Sequence, residues 1–172
     1  MSSFLINENF NRMSYPQYRK DIAYCRKIHK KYGKSFYFGT LLLPKKERDA
    51  TCVLYAFFRF PDEYVDTYFK DHKHIALQKL QRWGSLWRAC YGGIDFDADT
   101  DEEERKILRA SKYIFDTYKI PYEYSESFLA AMIQDTSKER YETYEELERY
   151  MYGSAVVVGC MLSLIHISEP TR

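Results

Sequence analysis

The sequence has little of what punctuates or staples a chain: among 172 residues there are only 7 Gly, 5 Pro and 4 Cys. So few Gly and Pro exclude a collagen-like repeat or a low-complexity disordered segment. The four cysteines, Cys25, Cys52, Cys90 and Cys160, form no C-x-x-C pair and no Cys/His cluster at zinc-ligand spacing. They read as reduced core thiols of a cytosolic protein, not as a disulfide framework. An excess of one charge is also lacking: 26 basic against 25 acidic residues leave a net charge of +1. That balance argues against a nucleic-acid binder held by phosphate neutralisation. No long apolar run is evident. The most apolar stretch, Ala155 to Ile165, is 11 residues, whereas a spanning helix takes about 20, so a transmembrane protein is not expected. Met1 to Arg19 contains no unbroken apolar segment of the signal-peptide kind.

What the sequence does have is aromatic side chains, 17% of the chain with 17 Tyr and 11 Phe. They sit in a pattern whose period is helical throughout. An amphipathic helix is expected from Tyr15–Tyr18 to Gly33, with Pro16 in its first turn. Ser35–Leu43 is strand-like in composition, but Gly39 divides it and no second strand follows to pair with it. Pro44 opens a further helix, which Pro61 should bend or restart. Others are expected over His74–Tyr91, ended by Gly92 and Gly93, then through Ile107–Tyr118, then after Pro121, and finally after Thr143. Leu77, Leu80, Trp87 and Cys90 are the inward candidates of the His74–Tyr91 helix. There is no internal repeat. The expected fold class is all-α.

One helix face concentrates chemistry. Tyr55, Arg59, Asp62 and Asp66 are spaced 4, 3 and 4 apart, which at ~100° per residue puts them at roughly 0°, 40°, −20° and 20°. Two carboxylates one turn apart suit Mg²⁺, a hard cation that takes oxygen ligands and retains water or phosphate oxygens. An arginine one turn upstream suits a phosphate, which it can meet bidentately. The aromatic neighbours Phe57, Phe58, Phe60, Tyr64, Tyr68 and Phe69 make a polar stripe costly unless a metal or ligand satisfies it. A surface ion pair at helical spacing is the bland alternative.

Two blocks carry a resemblance. GKSFYFGTLLLPKKERDATCVLYAFFRFPDEYVD, Gly33 to Asp66, resembles the N-terminal signature of the squalene and phytoene synthases, head-to-head prenyl transferases. Its K-S-F, L-L-P, L-Y-A-F-x-R and D-x-x-x-D occur in the family's order. RYETYEELERYMYGSAVVVG, Arg140 to Gly159, resembles the family's R-Y-x-T-x-x-E-L-x-x-Y-x-Y-G-x-A segment. The form P-D-E-x-V-D is most similar to bacterial-type phytoene synthases.

The resemblance implies an isoprenoid synthase fold with a central cavity and a Mg²⁺-dependent condensation of two prenyl diphosphates, with Mn²⁺ as a possible substitute. In that reaction a cyclopropyl diphosphate forms and rearranges with loss of diphosphate. By resemblance Asp62 and Asp66 are metal ligands, and Ser35 and Arg59 contact the substrate diphosphate. Phe36, Tyr55 and Tyr152 are then the active-site aromatics, with rings suited to stabilise cationic carbon. Tyr32 stands where some relatives carry a histidine. The expected activity is phytoene synthesis from two geranylgeranyl diphosphates in carotenoid biosynthesis. The alternatives are squalene or dehydrosqualene synthesis from two farnesyl diphosphates, or a non-catalytic assembly protein on the same fold. Such lipidic substrates make peripheral membrane contact an expectation for an otherwise cytoplasmic protein. The family's second aspartate-rich motif belongs beyond Gly159 and does not occur in this sequence. Residues 163–172, SLIHISEPTR, depart from the family pattern and resemble a translated read-through tail. Residues 1–162 are thus expected to be the N-terminal portion of one synthase domain, inactive by itself.

Weaker signals complete the reading. Asp95, Asp97, Asp99 and Asp101 alternate like the start of a calcium loop, but Thr100 and Lys106 occupy the positions where an EF-hand needs Gly and Glu. A solvated loop in which Thr100 or Asp101 caps the next helix is expected instead. His72 and His74 beside Asp71 read as a surface turn, and Asp135 as a residue at the edge of the site. Ala155 and Gly159 read as small residues for close helix packing.

Overall fold

The computed structural model describes the backbone of residues 15–68, 72–97, 99–138 and 140–167. Phe69, Asp71, the N-terminal residues before Tyr15 and the last five residues of the tail lie outside these. Among the described residues every regular element is helical: α1 Tyr15–Tyr32, α2 Lys34–Thr40, α3 Lys45–Tyr68, α4 Lys73–Tyr91, α5 Glu102–Tyr118, α6 Tyr122–Asp135, α7 Tyr144–Met151 and α8 Val157–Ile167. A π-helical turn, Tyr152–Val156, joins α7 to α8.

The punctuation follows from local chemistry. Gly33 separates α1 from α2, and the strand-like SFYFGT run is a short helix. Gly93 takes φ 77° just past α4, a left-handed conformation that a side chain disfavours. The Asp101 carboxylate accepts from Glu103 N–H at 2.7 Å, satisfying a donor that the first turn of α5 leaves open. Thr143 caps α7 by accepting from Glu146 N–H at 3.2 Å, while the Glu146 carboxylate accepts from Glu142 N–H at 3.1 Å. Of the bend or restart expected at Pro61, the restart does not occur: α3 runs unbroken from Lys45 to Tyr68. A proline removes one helical hydrogen bond, and the flanking turns of a 24-residue helix are sufficient to carry the chain through.

The chain packs as two compact units. The first comprises the residues up to Phe57 with Ser85–Asp116. Its core is aromatic: Phe57, Trp87 and Phe115 are fully buried and meet edge-on or tilted, with ring centroids 5.0–6.1 Å apart. Each such side chain contributes about 2–3 kcal/mol through burial. Arg109 of α5 grips the buried Asp21 of α1 with a two-pronged bond, Nε to Oδ2 at 2.9 Å and Nη2 to Oδ1 at 3.2 Å. Cys25, Cys52 and Cys90 are buried free thiols and Cys160 is half-buried. Burial pushes the Cys52 thiol up to about 12.

The second unit comprises Phe58–Gly84 and the chain from Thr117 onward. Phe58 packs on Phe128 and Phe60 stacks on Trp83. Leu80 is buried as expected, with Trp83 beside it in the core, whereas Leu77 is half-buried. The last helices lay a stripe of Gly153, Val157, Met161 and Ile165 inward, and the π turn and α8 pack on α6. The close approach is made at Gly153, where a Cβ would lie 2.5 Å from the Ser127 carbonyl oxygen. Gly159, expected to serve that purpose, has open space around it. The expectation of no span-length apolar segment is also corrected. Tyr144–Ile167 is one helical run of 24 residues, long and apolar enough by length and composition alone to cross a membrane. Counting only the uninterrupted apolar letters missed it, because a helix carries Tyr, Gly and Ser within an apolar run.

Candidate functional site

The second half of α3 gathers four charged side chains. Arg59 Nη1 donates to Asp62 Oδ2 at 2.7 Å, Arg59 Nη2 donates to Glu63, and Arg59 Nη1 lies 3.6 Å from Asp66 Oδ2. One guanidinium therefore holds three carboxylates that the i+3, i+4 and i+7 spacing places beside it. Asp62 and Asp66 are half exposed or more, 50% and 66%, while Arg59 is largely covered. Burial, and then the neighbouring Asp66 charge, raise the Asp62 pKa above its ordinary value; the Arg59 bond opposes them. Here like charge and burial outweigh the arginine.

Asp135, at the end of α6, joins the same electrostatic neighbourhood. Burial is the largest cause raising its pKa and Asp62 adds to it, while the Tyr150 hydroxyl, donating to Asp135 Oδ2 at 2.9 Å, works the other way. Tyr150 is pushed up to about 12 by burial and by Asp135. Its ring lies 5.1 Å from that of Tyr141, whose hydroxyl is buried with no hydrogen-bond partner among the described residues. Asp135 was expected at the edge of the site. Glu63 and the Tyr141–Tyr150 pair were not singled out, although Glu63 stands one turn from Arg59 within the P-D-E stretch.

In the first unit, Tyr55 and Phe36 are brought together around a residue that the sequence reading passed over. The His29 imidazole stacks on the Tyr55 ring with centroids 4.1 Å apart and planes 15° apart. Phe36 approaches the imidazole at 5.3 Å and the Tyr55 ring at 6.5 Å, and Tyr37 meets His29 edge-on at 5.5 Å. His29 Nδ1 lies 3.3 Å from Cys52 Sγ, and Nε2 is buried with no hydrogen-bond partner among the described residues. Burial lowers the His29 pKa to about 4, so the imidazole is neutral at pH 7 and the cluster presents ring faces without a competing cation. The absence of a side chain at Gly33 permits this arrangement, because a Cβ there would lie 2.7 Å from the Tyr55 ring. His29 falls on the same α1 face as the buried Ile22 and Cys25, so from sequence it reads as one more core position. Ser35 is exposed in the first turn of α2, beside Phe36, and Tyr152 is an exposed ring at the start of the π turn. A π turn inside a helix often marks a functional position.

The donor set fits a hard divalent cation. Among the described residues no group of three or more His, Cys, Asp or Glu side chains is placed to hold a metal by protein ligands alone. A pair of carboxylates with open coordination positions is, however, how Mg²⁺ is commonly held when substrate phosphates complete its shell.

Comparison with known proteins agrees with the two motif blocks. The family described as squalene/phytoene synthase matches residues 29–172. A chloroplastic phytoene synthase of an Oncidium hybrid cultivar is 29% identical over 163 residues, covering 93% of this chain and 34% of the relative. A 15-cis-phytoene synthase of Synechocystis sp. is 30% identical over 141 residues, covering 82% and 39%. Among solved structures, a dehydrosqualene synthase bound to a ligand is similar, with a TM-score of 0.68 and 28% identity over 88% of this chain and 49% of that one. The chain thus spans between a third and a half of the length of the relatives it matches.

Proposed function

The chain belongs to the squalene/phytoene synthase family, and we propose that it forms part of a Mg²⁺-dependent prenyl transferase that joins two geranylgeranyl diphosphates head to head. The observation that carries this reading is the Arg59, Asp62 and Asp66 constellation on one face of α3, a guanidinium beside paired carboxylates. Asp62 and Asp66 would hold Mg²⁺, which when bound supplies positive charge to the departing diphosphate. Arg59 then binds a diphosphate oxygen, releasing in part the carboxylates that it holds in this structure. By the family resemblance, Ser35 is a further contact to a substrate diphosphate. Phe36, Tyr55 and Tyr152 offer ring faces to cationic carbon as the first carbon–carbon bonds form and the cyclopropyl diphosphate rearranges. His29 stays neutral beneath Tyr55 and leaves that ring's face attractive to a cation. Substrates this apolar are supplied from a membrane surface, so peripheral membrane contact is part of the proposal.

A second reading, condensation of two farnesyl diphosphates to squalene or dehydrosqualene, is favoured by the likeness to a dehydrosqualene synthase. The test is product analysis. Protein expressed from the full reading frame of the gene is given each diphosphate separately with Mg²⁺, and the extracted hydrocarbons are identified by mass. Phytoene from geranylgeranyl diphosphate supports the first reading. A C30 product made only from farnesyl diphosphate supports the second, and no hydrocarbon from either overturns both.

A further inference from the structure

The chain is nearly neutral as a whole, yet its charges are not evenly spread. Between Asp21 and Glu47 there is no acidic residue, while Arg26, Lys27, Lys30, Lys31, Lys34, Lys45 and Lys46 all fall in that interval. The lysines bordering α2, namely Lys30, Lys31, Lys34, Lys45 and Lys46, are exposed. Between them stands an apolar tip. Phe38 is 65% exposed, Leu41 44% and Leu42 91%. Leu41 N–H donates to the Phe38 carbonyl at 3.1 Å and Leu42 N–H to the Gly39 carbonyl at 3.3 Å, so the turn continues the helical path beyond Thr40. On that path positions 38, 41 and 42 share one face.

Exposing three large apolar side chains has a cost in water, and among the described residues of the first unit they remain uncovered. The flanking charge indicates what covers them. A surface of negative charge over an apolar interior matches exposed lysines that flank an apolar tip on both sides along the chain, the composition by which a peripheral protein lies in the headgroup region of a bilayer. Lys45 among them lies 3.6 Å from Asp49. We propose that the α2 tip, Phe38, Leu41 and Leu42 with the lysines on either side, docks the protein onto an anionic lipid surface. Here Phe38 and Leu42 enter the acyl boundary and the lysines remain at the headgroups. Each lysine near such a surface adds about 1 kcal/mol, so several acting together with two or three inserted side chains give reversible rather than permanent attachment. The inference deepens the peripheral contact proposed above and rests on that part of the reading. It does not depend on the chemistry performed by Asp62 and Asp66.

The experiment is vesicle flotation of the 172-residue chain, with no turnover measured, so that its failure would leave prenyl transfer untouched. Vesicles of phosphatidylcholine alone are compared with vesicles containing phosphatidylserine. The chain should float with the anionic vesicles, more weakly as salt rises, and hardly at all with the neutral ones. Phe38→Ser with Leu42→Ser should weaken flotation about tenfold or more, and Lys45→Glu with Lys46→Glu by a similar factor. Circular dichroism should show unchanged helicity for both. Four results would overturn the proposal: no flotation, equal binding to both vesicle types, binding unaffected by these substitutions, or binding lost instead through Val156→Ser with Ile167→Ser, exposed residues of the Tyr144–Ile167 run. Self-association of the chain that the Phe38 and Leu42 substitutions abolish, without vesicle binding, would equally overturn it and assign the tip to a second copy.

Discussion

The imidazole of His29 lies flat against the phenol ring of Tyr55, with centroids 4.1 Å apart and only 15° between the planes. His29 is completely buried, and burial lowers its pKa from 6.5 to about 4. The unfolded chain therefore binds a proton between those values that the folded chain does not, and stability falls as pH drops through that window. His29 contributes a loss on the order of 3 kcal/mol between pH 7 and pH 4. Thermal melts of the wild type and of His29→Gln across this range should diverge, with the variant showing the shallower decline. Parallel curves would show that His29 is not the titrating group, as would an imidazole NMR titration midpoint near 6.5.

The contact at Gly153 gives a paired prediction. An alanine Cβ there would lie 2.5 Å from the backbone oxygen of Ser127 and 2.9 Å from the Ala131 Cβ, and neither belongs to a flexible side chain. Gly153→Ala should cost roughly 1–3 kcal/mol. Gly159 has nothing within 4 Å of its would-be Cβ, so Gly159→Ala should be neutral or stabilising by up to about 1 kcal/mol. Denaturant midpoints measure both. Equal effects would mean that the π turn does not pack closely on α6.

At the start of α7, Thr143 accepts from Glu146 N–H at 3.2 Å. Thr143→Ala removes that acceptor and should lower stability by about 1 kcal/mol. Thr143→Asp, which retains an acceptor, should recover most of the loss in urea denaturation. A null result for the alanine variant would mean that water serves that donor equally well.

The carboxylate pair predicts a coupled titration. Asp62 is raised first by burial and next by Asp66. Its protonated form is therefore favoured by folding, and this contribution is lost as pH rises from the ordinary carboxylate range through the raised value. Asp66→Asn removes the neighbouring charge and should move the Asp62 midpoint downward in a carboxyl-detected NMR titration. Mg²⁺ should move it further in the wild type than in the variant. A midpoint indifferent to both changes would show that the two side chains do not share a site.

These results separate what the letters carry from what they do not. The breaks between helices were legible because they are local: Gly33, Gly93, Asp101 and Thr143 each act on their own turn. The Arg59, Asp62 and Asp66 group was legible because helical spacing alone places them together. Glu63, inside the same window, was equally available but was overlooked. His29 was not legible, since its meeting with Tyr55 depends on how α1 packs on α3, and its spacing is that of a core residue. The Asp135–Tyr150 bond likewise depends on the packing of α6 against the segment that follows it. Pro61 does not restart the chain because a local rule was outweighed by a long helix, and Gly159 misled because the close contact falls six residues earlier.

The central claim is that Asp62 and Asp66 hold the Mg²⁺ through which a prenyl diphosphate is bound and ionised. It is tested most directly by turnover of the protein from its full reading frame, wild type against Asp62→Asn with Asp66→Asn, with geranylgeranyl diphosphate and a Mg²⁺ titration. The account predicts a loss of about a hundredfold or more in kcat/KM in the variant, with helicity and melting behaviour retained. Turnover that survives the double substitution with an unchanged Mg²⁺ requirement would contradict it.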